Sequence, residues 1–159
     1  MKKILFASAI LFMSAAGYAQ QTALGCMDQS IRLQSQQIKH DFKAQGVIPI
    51  KDMMITMKSH EPAGIKLPLT QGKLYQLVYI GSKDASGLRF ELYDGANFRI
   101  EDRKVEKPSE TNFLIYSFTP EKTDTFTVVL TQHIGGKTMC GSFTVLQNEE
   151  TPVKSKAKK

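Results

Sequence analysis

The chain contains no tryptophan, two cysteines and three histidines in 159 residues. Each shortage narrows the field. Without tryptophan the strongest sugar-stacking platform is missing, so any glycan contact falls to tyrosine or phenylalanine. The cysteines, Cys26 and Cys140, lack the short CxxC spacing that places two sulfurs on one ion or one redox turn. His40, His60 and His133 show no paired spacing, so there is no zinc signature and no cofactor is expected. The main apolar run, Ile4 to Met13, is ten residues long, well short of the ~20 that a membrane-spanning helix needs.

The formal charge is +6, yet its distribution argues against a nucleic-acid binder. Lys2 and Lys3 stand at the extreme start, and Lys154, Lys156, Lys158 and Lys159 at the extreme end. What remains between them carries fifteen bases and fifteen acids. The terminal lysines form a basic tail over 149–159, without apolar anchors and expected to be disordered. Its expected role is solubilising, with contact to an anionic surface as an alternative.

Residues 1–19 read as a secretory leader: a basic start, the short apolar run, and small residues at Gly17 and Ala19 before Gln20. The mature protein is therefore expected to be periplasmic or secreted, without a transmembrane span. In an oxidising compartment the Cys26 and Cys140 pair reads as one disulfide closing a loop of over a hundred residues. The alternative is an outer-membrane lipoprotein, since Ala23-Leu24-Gly25-Cys26 places a small residue before a cysteine, although polar Gln20, Gln21 and Thr22 separate it from the apolar run.

The body, 20–148, divides by hydrophobic period. Met27, Ile31, Ile38 and Phe42 recur near helical spacing, which predicts a helix over 28–45 with Asp28 as its cap and Gly46 as its stop. From Met53 the period falls to two, and turn residues cut the chain into eight short strands. Leu88, Phe90 and Leu92 alternate with Arg89, Glu91 and Tyr93; after the turn Asp94-Gly95-Ala96-Asn97, Phe98 and Ile100 are expected to continue the buried face. No helical crossovers intervene. The expected fold is mainly β: an antiparallel, jelly-roll-like β-sandwich of about eight strands preceded by one N-terminal α-helix.

Gly72-Lys73-Leu74-Tyr75, the strand Leu88-Arg89-Phe90-Glu91-Leu92-Tyr93-Asp94, and Phe118-Thr119-Pro120-Glu121 before Thr125-Phe126-Thr127-Val128-Val129 follow one another in order. This rhythm resembles the jelly-roll domains known as bacterial pre-peptidase C-terminal domains, over under half the chain. Ser86-Gly87 stands where that family usually has an acidic residue. The resemblance implies a non-catalytic binding or accessory role.

Candidate chemistry is thin. Asp84, Asp94 and Asn97 are weak calcium candidates if folding brings them to one end of the sandwich, but their spacing is not an EF-hand loop and turn chemistry accounts for them. Met53, Met54 and Met57 suggest a soft copper(I) site, which alternation opposes by sending Met54 to the other face. Gly136-Lys137-Thr138 imitates the end of a phosphate loop but lacks its first glycine and its helix. Cys140-Gly141-Ser142 after His133 is the one local nucleophile pattern, and Glu91, Glu101, Asp102 and Glu106 are carboxylates that only folding would pair. No catalytic residue is assigned and no enzyme is expected. The leading expectation is an exported protein binding a carbohydrate, peptide or envelope component, with Tyr79, Tyr93 and Tyr116 as contact candidates. Alternatives are an accessory subunit of an envelope protein assembly and a small secreted hydrolase.

Overall fold

Helix α1 (Gln29–Lys43) begins where a carboxylate can cap it. Asp28 Oδ1 accepts from the backbone N–H groups of Ser30 and Ile31 at 2.9 and 3.2 Å, and the Ser30 hydroxyl beside it holds this carboxyl below its usual range. Gly46, at φ 74°, turns the chain out of the helix, and the rest of the described chain is strand and turn. These observations come from a computed structural model that describes residues 26–148. The leader expected over 1–19 and the basic tail from 149 lie outside the described residues.

Eight strands follow: β1 (Val47–Lys58), β2 (Ala63–Leu69), β3 (Tyr75–Ile80), β4 (Gly87–Tyr93), β5 (Arg99–Val105), β6 (Phe113–Phe118), β7 (Asp124–His133) and β8 (Thr138–Asn148). They form two four-stranded antiparallel sheets, in the orders β1-β8-β3-β6 and β2-β7-β4-β5. This is the expected antiparallel β-sandwich with its N-terminal helix. Its inner faces are supplied by alternate residues, among them Ile65, Leu67 and Leu69, then Tyr75, Leu77 and Tyr79, Leu88, Phe90 and Leu92, and Phe126, Val128 and Leu130.

The outer face of the first sheet is not left to water. Ile31, Ile38 and Phe42 from α1 pack on Val78, Ile80 and Leu146, and Met54 joins this layer while Met53 and Met57 face the main core. Burying Ile31 fully is worth about 2 kcal/mol. Polar pairs fix the helix laterally: Gln34 and Asn112 exchange two hydrogen bonds, at 2.9 and 3.0 Å, and Ser142 Oγ donates to Ser35 Oγ. The disulfide Cys26–Cys140 ties the start of the helical segment to β8, across a sequence separation of 114. It occupies the sulfur that lipid attachment at Cys26 would require.

Strand register gives the sandwich two distinct ends. Tyr75 lies opposite Phe118 and Gln147, and Tyr93 opposite Thr127 and Arg99, at one end. The other end carries Gly87 opposite His133, and Cys140 opposite Thr56.

One expectation fails at the first end. Phe98 and Ile100 do not continue the buried face: they are 73% and 41% exposed. The register slips between Leu92, which faces Glu101, and Tyr93, which faces Arg99, leaving Ile100 as the extra residue, and β5 is an edge strand with no further strand beyond it among the described residues.

Candidate functional site

A sandwich of two open sheets has four edge strands, and here they are β1, β6, β2 and β5. Unpaired backbone groups along an edge recruit other strands unless something blunts them. In β1 this is Pro49, a register break before Lys51, and Asp52. Strand β2 has Lys66 and Pro68, and β5 reads Arg-Ile-Glu-Asp-Arg-Lys-Val. Strand β6 has no such guard. Its sequence, Phe-Leu-Ile-Tyr-Ser-Phe, contains no charge, proline or glycine, and among the described residues it pairs on one side only, with β3.

At the Phe118 end of this edge a groove opens between the two sheets, while β5 lies close to β6 farther along it. Ile100, Phe118 and Phe126 wall a groove of about 490 Å³, and Asp94, Glu121 and Lys122 stand around it. An aromatic run leads from the core to its wall: ring centroids are 5.9 Å apart for Phe90 and Tyr116, 6.1 Å for Tyr116 and Phe118, and 5.1 Å for Phe118 and Phe126. The Arg103 guanidinium lies 5.7 Å from the Tyr116 ring centre. At the rim, Lys122 pairs with Asp124 at 3.0 Å, which holds the Asp124 carboxyl below its usual range. The groove thus combines an apolar floor with a mouth of both charge signs, beside a strand whose outward hydrogen-bonding groups have no described partner.

The sequence candidates sort unevenly on this frame. Tyr79 is fully buried in the core, its hydroxyl donating to Thr131 O at 3.4 Å. Burial also pushes its phenol pKa up. Tyr116 is half-buried beside the groove, and burial followed by the Glu101 carboxylate raises its phenol. Tyr93 lies on the outer face of the second sheet, where it donates to Glu91 at 3.0 Å; that bond raises its phenol as well.

The calcium candidates do not meet. Asp84 sits in the loop before β4 and Asp94 and Asn97 in the turn after it, at opposite ends of a seven-residue strand. Asp94 Oδ1 accepts from Ala96 and Phe98 backbone N–H groups at 2.9 Å, so the turn consumes it. Folding does bring Glu91 and Asp102 together, but as part of an ionic lattice. Arg89 grips Asp102 bidentately at 2.9 and 2.8 Å and reaches Glu91 at 3.1 Å, while Arg99 stands 3.4 and 3.5 Å from the same two carboxylates. The Arg89 hydrogen bond lowers the Asp102 pKa, the reverse of what a general acid needs. Glu101 instead pairs with Arg103 at 3.2 Å.

Two features escaped sequence reasoning. The bare edge was legible as a strand, but its place at the border of a sheet was not. His60 and His133, 73 residues apart, meet with their Nδ1 atoms 2.7 Å from one another; no spacing rule covers a contact made by two turns.

No protein-family model matches the chain, and no curated protein matches it in sequence. Among solved structures it is similar to a periplasmic inhibitor of g-type lysozyme from Aeromonas hydrophila, PliG, at 9% identity and a TM-score of 0.46, covering 61% of this chain and 84% of that one. It is similar to a structure described as CBM4, at 13% identity and TM-score 0.42, covering 64% and 77%. A protein of Bacillus endospore appendages, a family of disulfide-linked pili, matches at 13% identity and TM-score 0.40, covering 64% and 88%. At these identities and scores the likenesses say nothing of a partner or an activity.

Proposed function

We propose that this is an exported, non-catalytic binding protein whose ligand is an extended polypeptide segment of an envelope or extracellular protein. The observation that carries the reading is the unguarded β6 edge beside the apolar groove. A peptide laid along β6 extends the first sheet by main-chain hydrogen bonds, and its alternate side chains reach the groove between Ile100, Phe118 and Phe126. An apolar side chain flanked by polar or charged ones suits that floor and its mixed-charge mouth. A glycan needs outward polar groups and a stacking ring, whereas the polar groups around Tyr93 are already engaged with each other. Export is supported by the leader pattern at 1–19 and by a disulfide that joins distant parts of the chain.

The test uses the mature protein and two exposed side chains, Ile115 on the outer face of β6 and Ile100 in the groove. Protein partners and glycans captured from an envelope extract are identified for the wild type, Ile115→Lys and Ile100→Glu. The expected result is one stoichiometric protein, bound at least about tenfold more weakly by both variants while their melting temperatures hold. Hydrogen exchange of β6 amides should slow on binding. Capture of a glycan class, self-association through β6 alone, or a protein partner indifferent to both substitutions would overturn the reading.

A further inference from the structure

The end of the sandwich away from the groove holds a second constellation, built from two turns. His60 follows β1 with a left-handed backbone, φ 64°, a conformation uncommon for any residue but glycine. Its N–H donates to Gln132 O at 3.1 Å, and its neighbour Ser59 is held at both ends: Ser59 N–H donates to Lys137 O at 3.2 Å, and Ser59 Oγ accepts from Ile134 N–H at 2.9 Å. His133 closes β7, and its carbonyl accepts from both the N–H and the hydroxyl of Ser86, at 2.7 and 3.0 Å. Both backbones are thus fixed by contacts independent of the imidazoles. A strained residue so pinned is the kind of feature found at ligand clamps.

What this positioning achieves is convergence. The Nδ1 atoms stand 2.7 Å apart, with the ring centroids at 4.5 Å and the planes inclined by 49°. Two imidazoles meeting head-on at that nitrogen separation would hold their centroids roughly 5 Å apart, so the rings are bent away from a collinear approach. Two nitrogens each ~2.0 Å from one ion and at a right angle are roughly 2.8 Å apart, whereas tetrahedral angles spread them to about 3.3 Å. In the metal-free protein this contact is a hydrogen bond in which one imidazole N–H donates to the other ring's nitrogen, and its length lies close to the right-angle separation, so an ion can replace the shared proton with little movement.

We propose that His60 and His133 form a chelating site for a divalent transition-metal ion that favours tetragonal coordination, copper(II) foremost and nickel(II) after it. Neutral imidazole nitrogen suits these ions, and copper(II) heads the affinity order for divalent ions. No cluster of three or more His, Cys, Asp or Glu exists among the described residues, so the two imidazoles would be the protein's ligands and water would take the remaining positions. His133 also borders a cavity of about 170 Å³ with Glu106, Lys104 and Arg89, and the Arg89 charge is already compensated by Asp102 and Glu91. Bound metal would clamp the β1–β2 turn to the β7–β8 turn.

The test titrates the metal-free mature protein separately with copper(II), nickel(II) and zinc(II) by calorimetry, and records the electron paramagnetic resonance spectrum of the copper(II) complex. One equivalent of copper should bind, more tightly than nickel or zinc, with an axial spectrum showing coupling to two imidazole nitrogens. His60→Ala and His133→Ala should each weaken binding at least about tenfold, and His40→Ala, on the exposed side of α1, should leave it unchanged. Melting curves of the metal-free variants confirm that they fold. Binding that survives both substitutions, a spectrum with no imidazole coupling, a preference for zinc, or the absence of saturable copper binding would overturn the proposal. None of these results depends on the β6 groove.

Discussion

Removing the Cys26–Cys140 bridge should cost the protein a large part of its stability while leaving its fold in place. The perturbation is the double substitution Cys26→Ser and Cys140→Ser. With a sequence separation of 114, the chain-entropy relation puts the loss at about 5 kcal/mol, comparable with the net stability of a small domain. The native state gives little of this back. Helix α1 stays docked through Ile31, Ile38 and Phe42 and through the Gln34–Asn112 and Ser35–Ser142 hydrogen bonds, so the cost resides in the freed denatured chain. For a domain of this size that corresponds to a fall in melting temperature of roughly 15–20 °C. Scanning calorimetry of the oxidised protein, the reduced protein and the double variant measures it, and amide exchange in α1 reports whether the helix frays first. A fall of less than about 3 °C, with the wild type verified as oxidised by non-reducing mass analysis, would show that the bridge does not constrain the denatured chain in this way.

Two further outcomes follow from particular side chains. Gly81 is buried with no room for a methyl group: a Cβ there would overlap Leu88 Cδ2 and lie 3.2 Å from Gln132 Oε1, so Gly81→Ala should lower stability by about 1–3 kcal/mol in chemical denaturation, and an unchanged midpoint would contradict the packing. Asp102 has its pKa depressed in the folded state by Arg89, so its contribution is present above the unfolded value of about 3.9 and is lost as pH falls through the folded value; melting curves between pH 7 and pH 2 should therefore drop less steeply in acid for Asp102→Asn than for the wild type, and parallel curves would refute the assignment.

The fold was legible because strand alternation and turn chemistry are local. Leu88, Phe90 and Leu92 face the core and Arg89, Glu91 and Tyr93 face out, as their spacing requires. The burial of Tyr79 is legible too, since Leu74 to Ile80 is apolar nearly throughout. Strand β1 is longer than alternation indicates, because Pro49 and the register break before Lys51 interrupt the period without ending the pairing. Phe98 defeats a periodic reading because it precedes β5 and closes the turn with Asp94, which bonds both its N–H and its carbonyl, so it sits beyond the end of the core. The groove and the histidine pair are products of tertiary order. Neither which strand borders a sheet nor which turns share an end is written in local spacing, so both sites became visible only with the topology.

The two ends of the sandwich also fix the geometry of any attachment. Cys26 is held beside Cys140 at the histidine end, whereas Asn148, opposite Val47, finishes β8 at the end where Phe118 and the β6–β7 turn border the groove. A dye, bead or fused domain attached at Cys26 is anchored at the end opposite the groove, while cargo attached at Asn148 is anchored at the groove's own end. Immobilisation through the front of the molecule leaves the cleft facing outward, and sensor or display formats should be oriented accordingly.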